Sequence, residues 1–477
     1  MLLGELLTDL KGELSGVEIS GITCNSKEVK SGYAFVCIVG TAVDSHDFAQ
    51  NAKENGAAVI IAQRDLGIDN QVIVENTRKT YADMCAAWFS YPASKLHLIG
   101  VTGTNGKTSV TYMLKAILEK AGKKVGLIGT IQNLIGDTVI SSHNTTPEAY
   151  ELNSLFNEMV QSGCDYCVME VSSHALDQYR VSNLPFEVAI FTNLTQDHLD
   201  YHKTMENYLN AKKRLFNMCK TAVINIDDQY APQIIEGLCC KVVTCSNGSN
   251  AVFSARSVNY RPDSVEYEIM HSGKLNHIKV LTGGEFTVYN SMLALAAASE
   301  AGIDIEFIKS ALSSMHGVKG RAESVPTGKD FTVIIDYAHT PDGLKNILST
   351  FSRCEKNRLV LLFGCGGDRD RTKRPIMGNI AVRGADYVIV TSDNPRSEEP
   401  MNIINDILEG TKGYDTPVKV IENRIEAIKF AIKTALSGDI IVLAGKGHET
   451  YQILSDKTIH LDEREIIAEA LAEIGGE

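Results

Sequence analysis

Short apolar runs of four to eight residues recur along this chain, separated by amphipathic stretches of helical period. From Lys95 onward the alternation is regular. KLHLIGVTG reads as a strand ending in a glycine-rich turn, and SVTYMLKAILEKAG as an amphipathic helix closed by Gly122. KKVGLIGT, CDYCVMEVS, EVAIFTN and TAVINID follow as strands, and helices of this length between strands predict a mostly parallel sheet covered on both faces. Before this, ITCNSKEVKSGYAFVCIVG reads as two strands around a turn, and AQNAKENGAAVIIA as a helix feeding a strand. Tyr91-Pro92-Ala93-Ser94 is a plausible joint.

Between about 241 and 289 the pattern changes. SVEYEIMHSG and LNHIKVLTGG predict antiparallel strands with glycine turns, and TVYNSMLALAAASEAG returns to helix. The polar VPTGKD after Arg321 marks a second boundary. Beyond it DFTVIIDYAH, RLVLLFGCGG, ADYVIVTSDN and DIIVLAGKG are strands with helices between them, each ending in polar or glycine residues. Ligands of open α/β sheets sit outside such carboxyl ends, so two successive α/β domains imply a cleft between them. The expected domains are 1–92, 93–322 and 323–477.

A length of 477 residues agrees with several cores, and 44% hydrophobic with 22% charged residues describes an ordinary globular protein. The net charge of -13 argues against nonspecific nucleic-acid or anionic-membrane binding, while leaving room for local basic pockets. The amino terminus lacks a signal-peptide pattern and no run approaches a membrane span, so a cytoplasmic location is expected. Eleven cysteines are scattered through the chain; Cys164 and Cys167 form a C-x-x-C, read as buried reduced thiols ahead of a redox or metal pair.

The sharpest chemical signal is Gly103-Thr104-Asn105-Gly106-Lys107-Thr108, followed by Ser109, between a strand and a helix. A strict phosphate loop would carry glycine where this chain has Val101. The glycines let backbone N–H groups curl around phosphates at the positive end of the helix. Lys107 can reach the terminal phosphates, and the Thr108 hydroxyl can ligate Mg²⁺. Glu170, one strand along, suits a second oxygen ligand, against a plain strand-end carboxylate facing water. His198 taken alone is as readily a loop hydrogen bonder as a ligand. Lys212 falls on an apolar helix face with Tyr208, Leu209, Leu215 and Phe216, where an ammonium either snorkels to water or serves chemistry.

Taken together these segments resemble a known family, the Mur ligases of peptidoglycan synthesis, and within it the MurE type. GTNGKT, HNTTP, MEVSSHALDQYRV, DHLDYH, AKKRLF, IDYAHTP, FGCGGDRDRTKRP, TSDNPRSEEP and LAGKGHE occur in the family's order over nearly the whole chain. The resemblance implies an N-terminal domain for the uridine nucleotide end of the substrate, a central P-loop-like ATPase with a mostly parallel sheet, and a C-terminal Rossmann-like domain for the incoming amino acid. It implies ATP and Mg²⁺, with Lys212 carbamylated and Glu170 and His198 as further metal ligands. Asn144, Thr145, Thr146, Ser172, Gln178 and Arg180 correspond to the site for the nucleotide-linked dipeptide, and Ser26 to the uridine end. There Asn25 and Lys27 depart from the family's usual aspartate and arginine. Asn290 matches the adenine side, and Arg321, Asp336 and His339 the phosphate and ribose side.

The tetrapeptide Asp393-Asn394-Pro395-Arg396 is similar to the family members that use meso-diaminopimelate. That substrate ends in a second ammonium and carboxylate. Arg396 can grip the carboxylate bidentately, Arg369 matches a second guanidinium, and Glu449 with the backbone near Gly445 answers the ammonium. The expected reaction joins meso-diaminopimelate to UDP-MurNAc-L-Ala-D-Glu through an acyl phosphate, in a monomeric enzyme. L-lysine in place of diaminopimelate is the first alternative, folylpolyglutamate synthetase-like ligation the second, and a non-catalytic nucleotide-binding scaffold the third.

Overall fold

The structure is a computed structural model and describes residues 1–40, 43–142, 144–248, 250–315 and 317–475. It divides into two compact units: Met1–Ile224 with Asp228–Val243 and Glu300–Gly302, and Asn225–Asp227 with Thr244–Ser299 and Ile303–Glu477.

The first unit opens with a four-stranded sheet in the order Gly21–Thr23, Tyr33–Val36, Val59–Ala62, Gln71–Ile73. The two strands read around a turn do form, but they pair in parallel, because the chain between them winds through a 3-10 turn at Ser26–Glu28. Ala34, Val36, Val59 and Ile61 face Tyr81, Met84 and Cys85 of the helix Thr77–Trp88. The following sheet runs Cys219–Asn225, Phe186–Phe191, His97–Thr102, Tyr166–Glu170, Val125–Ile128, all parallel. Asn133–Ile135 and Thr138–Ile140 add an antiparallel edge. His97–Thr102 is central and, apart from its first residue, buried. Its carboxyl end launches the glycine loop, flanked by the carboxyl ends of Tyr166–Glu170 and Phe186–Phe191.

In the second unit, Arg256–Tyr260, Val265–His271 and Lys274–Val280 form the expected antiparallel sheet. The helix Glu285–Glu300 is apolar almost all round and correspondingly buried, from Thr287 to Ala298 with few breaks. A six-stranded sheet follows in the order Glu323–Val325, Thr332–Asp336, Ile440–Ala444, Leu359–Phe363, Tyr387–Val390, Val418–Val420. Only its first pairing is antiparallel. Period-two alternation sends Leu361 and Phe363 to one face with Leu344, Phe351, Met377 and Ile404. Val360 and Leu362 go to the other with Ile428 and Ile467. Helices therefore cover both faces. Four carboxyl ends lie side by side: Asp336, Ala444, Phe363 and Val390.

All eleven cysteines are free, and Cys164 and Cys167 are buried thiols whose pKa burial raises. Among the described residues no helix is long and apolar enough to cross a membrane.

Candidate active site

The loop Gly103–Thr108 is pinned from the neighbouring strand end. Thr104 N donates to Asn193 O at 2.9 Å, Asn105 N to Asn193 Oδ1 at 2.9 Å, and Thr192 Oγ1 to Asn105 O at 2.6 Å. Gly103 has φ +148, and a Cβ there would stand 1.9 Å from Thr192 Oγ1. Gly106, at φ +88, caps the helix Lys107–Lys120, so the loop presents backbone N–H groups at a helix N-terminus. Thr108 is buried and Ser109 half-buried in the first turn. Gly103→Ala is expected to lower the melting temperature and abolish ATP binding, since the strained backbone alone costs about 1–3 kcal/mol. Calorimetry with and without ATP checks this.

Two lysine side chains converge on one carbonyl. Lys107 Nζ donates to Gly103 O and Thr104 O, both at 2.9 Å, and Lys212 Nζ donates to Gly103 O at 2.8 Å. Lys212 is 1% exposed and lies 4.6 Å from the centre of the Tyr208 ring. The side chain therefore does not snorkel. The α-helix that carries it ends at Lys213 and tightens to 3-10 over Arg214–Met218, which turns Leu215 and Phe216 into the core. Burial, reinforced by the Lys107 charge, holds the Lys212 amine far below its ordinary pKa. His198, at φ +54, is also pushed down, by burial first and by both lysines. It is thus a neutral imidazole, the form that ligates metals.

Glu170 is buried rather than facing water, and Thr130 grips both its oxygens. Thr130 N donates to Oε1 at 2.9 Å and Thr130 Oγ1 to Oε2 at 3.0 Å. Thr145 Oγ1 lies 3.1 Å from Thr130 Oγ1. Thr146 Oγ1 donates to Glu170 O at 2.9 Å and accepts from Ser172 N at 3.0 Å, and Arg180 Nη1 donates to Thr146 O at 2.9 Å. Gln178 Oε1 accepts from Arg180 Nη2 at 2.7 Å. Thr145, Thr146, Glu170, Ser172, Gln178 and Arg180 are thus one network. Asn144 begins this segment, exposed, its carbonyl accepting from Ser142 Oγ; His143 of the same motif lies outside the described residues. Ser26, half-buried, opens its 3-10 turn in the N-terminal sheet. Asn25 caps that turn, accepting from Lys27 N and donating Nδ2 to Glu28 Oε1 at 2.9 Å. An aspartate there would set two carboxylates against each other, which accounts for the asparagine.

In the second unit, Asp336 is half-buried and accepts from Ala322 N at 2.7 Å and Ala338 N at 2.8 Å. Its carboxylate holds the turn bearing Arg321, whose guanidinium lies 4.9 Å from the Tyr337 ring centre. His339 Nδ1 donates to Tyr337 O at 2.8 Å, so Arg321, Asp336 and His339 come together around Tyr337. Asn290 is buried on the helix Glu285–Glu300.

Asp393–Arg396 follows the strand Tyr387–Val390. Arg396, a non-glycine residue at φ +53, is held by its N–H to Ile453 O and by Nη1 to Gly367 O at 2.8 Å. A Cβ on Gly366 would meet Arg396 Nη1 at 3.0 Å and Arg369 Cγ at 3.9 Å, so the two arginines share one wall. Arg396 is not a surface cation balanced by Glu398. That carboxylate is bound by the buried Arg374 at 2.7 Å and accepts from Asp368 N. Glu449 Oε2 accepts from Asn394 Nδ2 at 3.0 Å. Gly445, at φ +115, lets Asp393 Oδ2 approach to 2.6 Å of where a Cβ would stand, and that buried oxygen has no hydrogen-bond partner among the described residues. Pro395 is buried between Asn394 and Arg396. The wall offers guanidinium groups beside carboxylates, complementary to a zwitterionic head.

Three family descriptions match in succession: "Mur ligase family, catalytic domain" over residues 18–87, "Mur ligase middle domain" over 101–298 and "Mur ligase, glutamate ligase domain" over 320–447. The chain belongs to the Mur ligase family. Its architecture is the three-domain Mur ligase arrangement of mixed α/β sheets, and as a member it is an ATP-dependent ligase, a family that uses ATP with Mg²⁺. Similar relatives include a UDP-N-acetylmuramoyl-L-alanyl-D-glutamate–2,6-diaminopimelate ligase of Caldanaerobacter subterraneus, 48% identical over 99% of both chains. One from Clostridium acetobutylicum is also 48% identical, over 99% of this chain and all of its own. A solved structure of a ligase of that description superposes with a TM-score of 0.76 at 32% identity, covering 100% of this chain and 99% of its own. A folylpolyglutamate synthase of Mycobacterium tuberculosis shares the fold alone, at 18% identity and TM-score 0.61, over 83% of this Mur ligase and 94% of its own chain.

Sequence reading missed the residues that hold the site rather than face it: Thr130, Thr192, Asn193 and Lys446. Thr192 and Asn193 directly follow a strand, and Lys446 stands inside the GKGHE segment. Those positions were the available signal.

Proposed function

We propose that this Mur ligase is of the MurE type, joining meso-2,6-diaminopimelate to the D-glutamyl γ-carboxylate of UDP-MurNAc-L-Ala-D-Glu with cleavage of ATP to ADP and phosphate. The observation that carries the reading is the shared wall of Arg369 and Arg396 beside Asp393 and Glu449. Relatives named for this reaction, matching almost end to end, support it.

The loop amides and Lys107 hold the ATP phosphates. Arg180, with Thr146 and Ser172, orients the peptide carboxylate for attack on the terminal phosphorus, giving an acyl phosphate. Attack by the diaminopimelate amine then forms a tetrahedral intermediate that expels phosphate. Exclusion of water matters throughout, because the acyl phosphate hydrolyses when exposed.

The oxygen donors Thr108 and Glu170 suit Mg²⁺, which takes one or two carboxylates and completes its shell with phosphates and water. Carbamylation of Lys212 would add two oxygens beside the neutral His198. Burial lowers the pKa of this amine and so favours the deprotonated, nucleophilic form, which is the one that adds carbon dioxide. Bound there, the metal would neutralise the crowded phosphate oxygens.

The deciding experiment incubates the protein with ATP, Mg²⁺ and the nucleotide dipeptide, with diaminopimelate or L-lysine, and weighs the product. Preferential addition of diaminopimelate is expected. Equal or preferential addition of lysine defeats the specificity reading, and phosphate release without ligated product defeats the ligase reading.

A further inference from the structure

Lys446 presents a buried ammonium to the side chains that form the amino-acid pocket. Its Nζ, in a residue with no exposed surface, donates to Asn394 Oδ1 at 3.0 Å and Glu449 Oε2 at 2.9 Å. Asn394 Nδ2 donates to the same Glu449 oxygen, closing a triangle, and Ile453 N donates to Asn394 Oδ1 at 2.9 Å. Burying an ammonium is costly unless it is paired and hydrogen-bonded, and this one is paired to a residue assigned to substrate.

Holding the strand ends together is already served by another pair. Buried Arg424 donates to Ala444 O and Ser392 O and pairs with buried Glu463 at 2.8 Å. Lys446 reaches Asn394 and Glu449 instead. Both hydrogen bonds to the Glu449 carboxylate among the described residues fall on Oε2. The triangle therefore fixes the carboxylate while Oε1 stays available to a ligand's ammonium. Charge makes a second consequence. Arg369, Arg396 and Lys446 face Asp393 and Glu449, so the pocket has one cation in surplus. A ligand carrying a carboxylate as well as an ammonium leaves that surplus unchanged, whereas a diamine with one carboxylate adds to it.

We infer that Lys446 is a positioning and specificity-determining residue, which locks Glu449 and Asn394 and tilts the pocket toward an amino acid with a distal carboxylate. The inference rests on the proposed diaminopimelate ligation.

Steady-state kinetics of the full chain test it, with wild type, Lys446→Gln, Lys446→Met, Glu449→Gln and the double variant Lys446→Gln/Glu449→Gln. Lys446→Gln is expected to raise KM for diaminopimelate about tenfold, as loss of a charge-assisted bond implies. KM for ATP and for the nucleotide dipeptide should stay within about twofold. The ratio of kcat/KM for lysine over diaminopimelate should rise about tenfold. Adding Lys446→Gln to Glu449→Gln should cost little more, because the first acts through the second. A uniform fall in kcat with the substrate ratio unchanged, or additive effects in the double variant, would overturn the inference. If Lys446→Met fails to fold, the glutamine variants decide, their melting temperatures reporting an intact pocket. Wild type that ignores diaminopimelate would sink the proposed function. Wild type that uses it, with an unchanged ratio in Lys446→Gln, rejects the role of Lys446 alone.

Discussion

Lys212→Met is expected to abolish ligation, by about 10³-fold or more in kcat, while leaving the melting temperature unchanged or higher. The two effects have one cause. Lys212 is walled in by Tyr208 and the Gly103 carbonyl, beside the Lys107 ammonium. A charged amine there is desolvated and repelled, so methionine of similar length removes a cost and keeps the packing. The pH dependence of stability gives an independent check. The native amine loses its proton at lower pH than the unfolded one. Between its depressed pKa and the ordinary value near 10.5, the unfolded chain binds more protons, so stability rises with pH across that window. Below the window the destabilisation is complete. Lys212→Met should flatten this rise, measured as the urea midpoint from neutral to alkaline pH. A variant that loses stability and activity together would show that Lys212 is a packing residue only.

Arg396→Ala should lower kcat/KM for diaminopimelate by about 10²–10³-fold while KM for ATP stays within about twofold. The guanidinium is already oriented by Gly367 O and by a strained backbone at φ +53, so little is paid to position it when a carboxylate arrives. Arg396→Lys should recover only part of the loss, because an ammonium cannot form the bidentate fork. Lysine as substrate should be affected far less, narrowing the preference between the two amino acids. A rise in KM for ATP in proportion to that for diaminopimelate would show that the pocket does not divide the work as proposed.

Much of this was legible before any coordinates. The glycine loop announced itself because phosphate binding by backbone amides demands glycine, and glycine is visible in a sequence. The sheet strands were legible because doubly covered parallel strands are continuously apolar, as in VIID and LVLLF. The parallel pairing of the first two strands was not legible. A turn sequence gives no direction when a 3-10 segment intervenes, and non-local pairing is settled by the whole sheet.

Local order, motif spacing and the reading of Lys107 and Glu170 come from the sequence by itself, while the roles expected of Lys212, Arg369 and Arg396 came from the resemblance carried by the ordered motifs. Tertiary structure alone decided that Lys107 and Lys212 converge on one carbonyl, that Thr130 grips Glu170, and that Lys446 locks Glu449 to Asn394. Burial and charge coupling are properties of neighbours 40 to 109 positions away along the chain, as between Thr130 and Glu170 or Gly103 and Lys212. No local pattern encodes the desolvation that lowers the pKa of Lys212. The packed fold does.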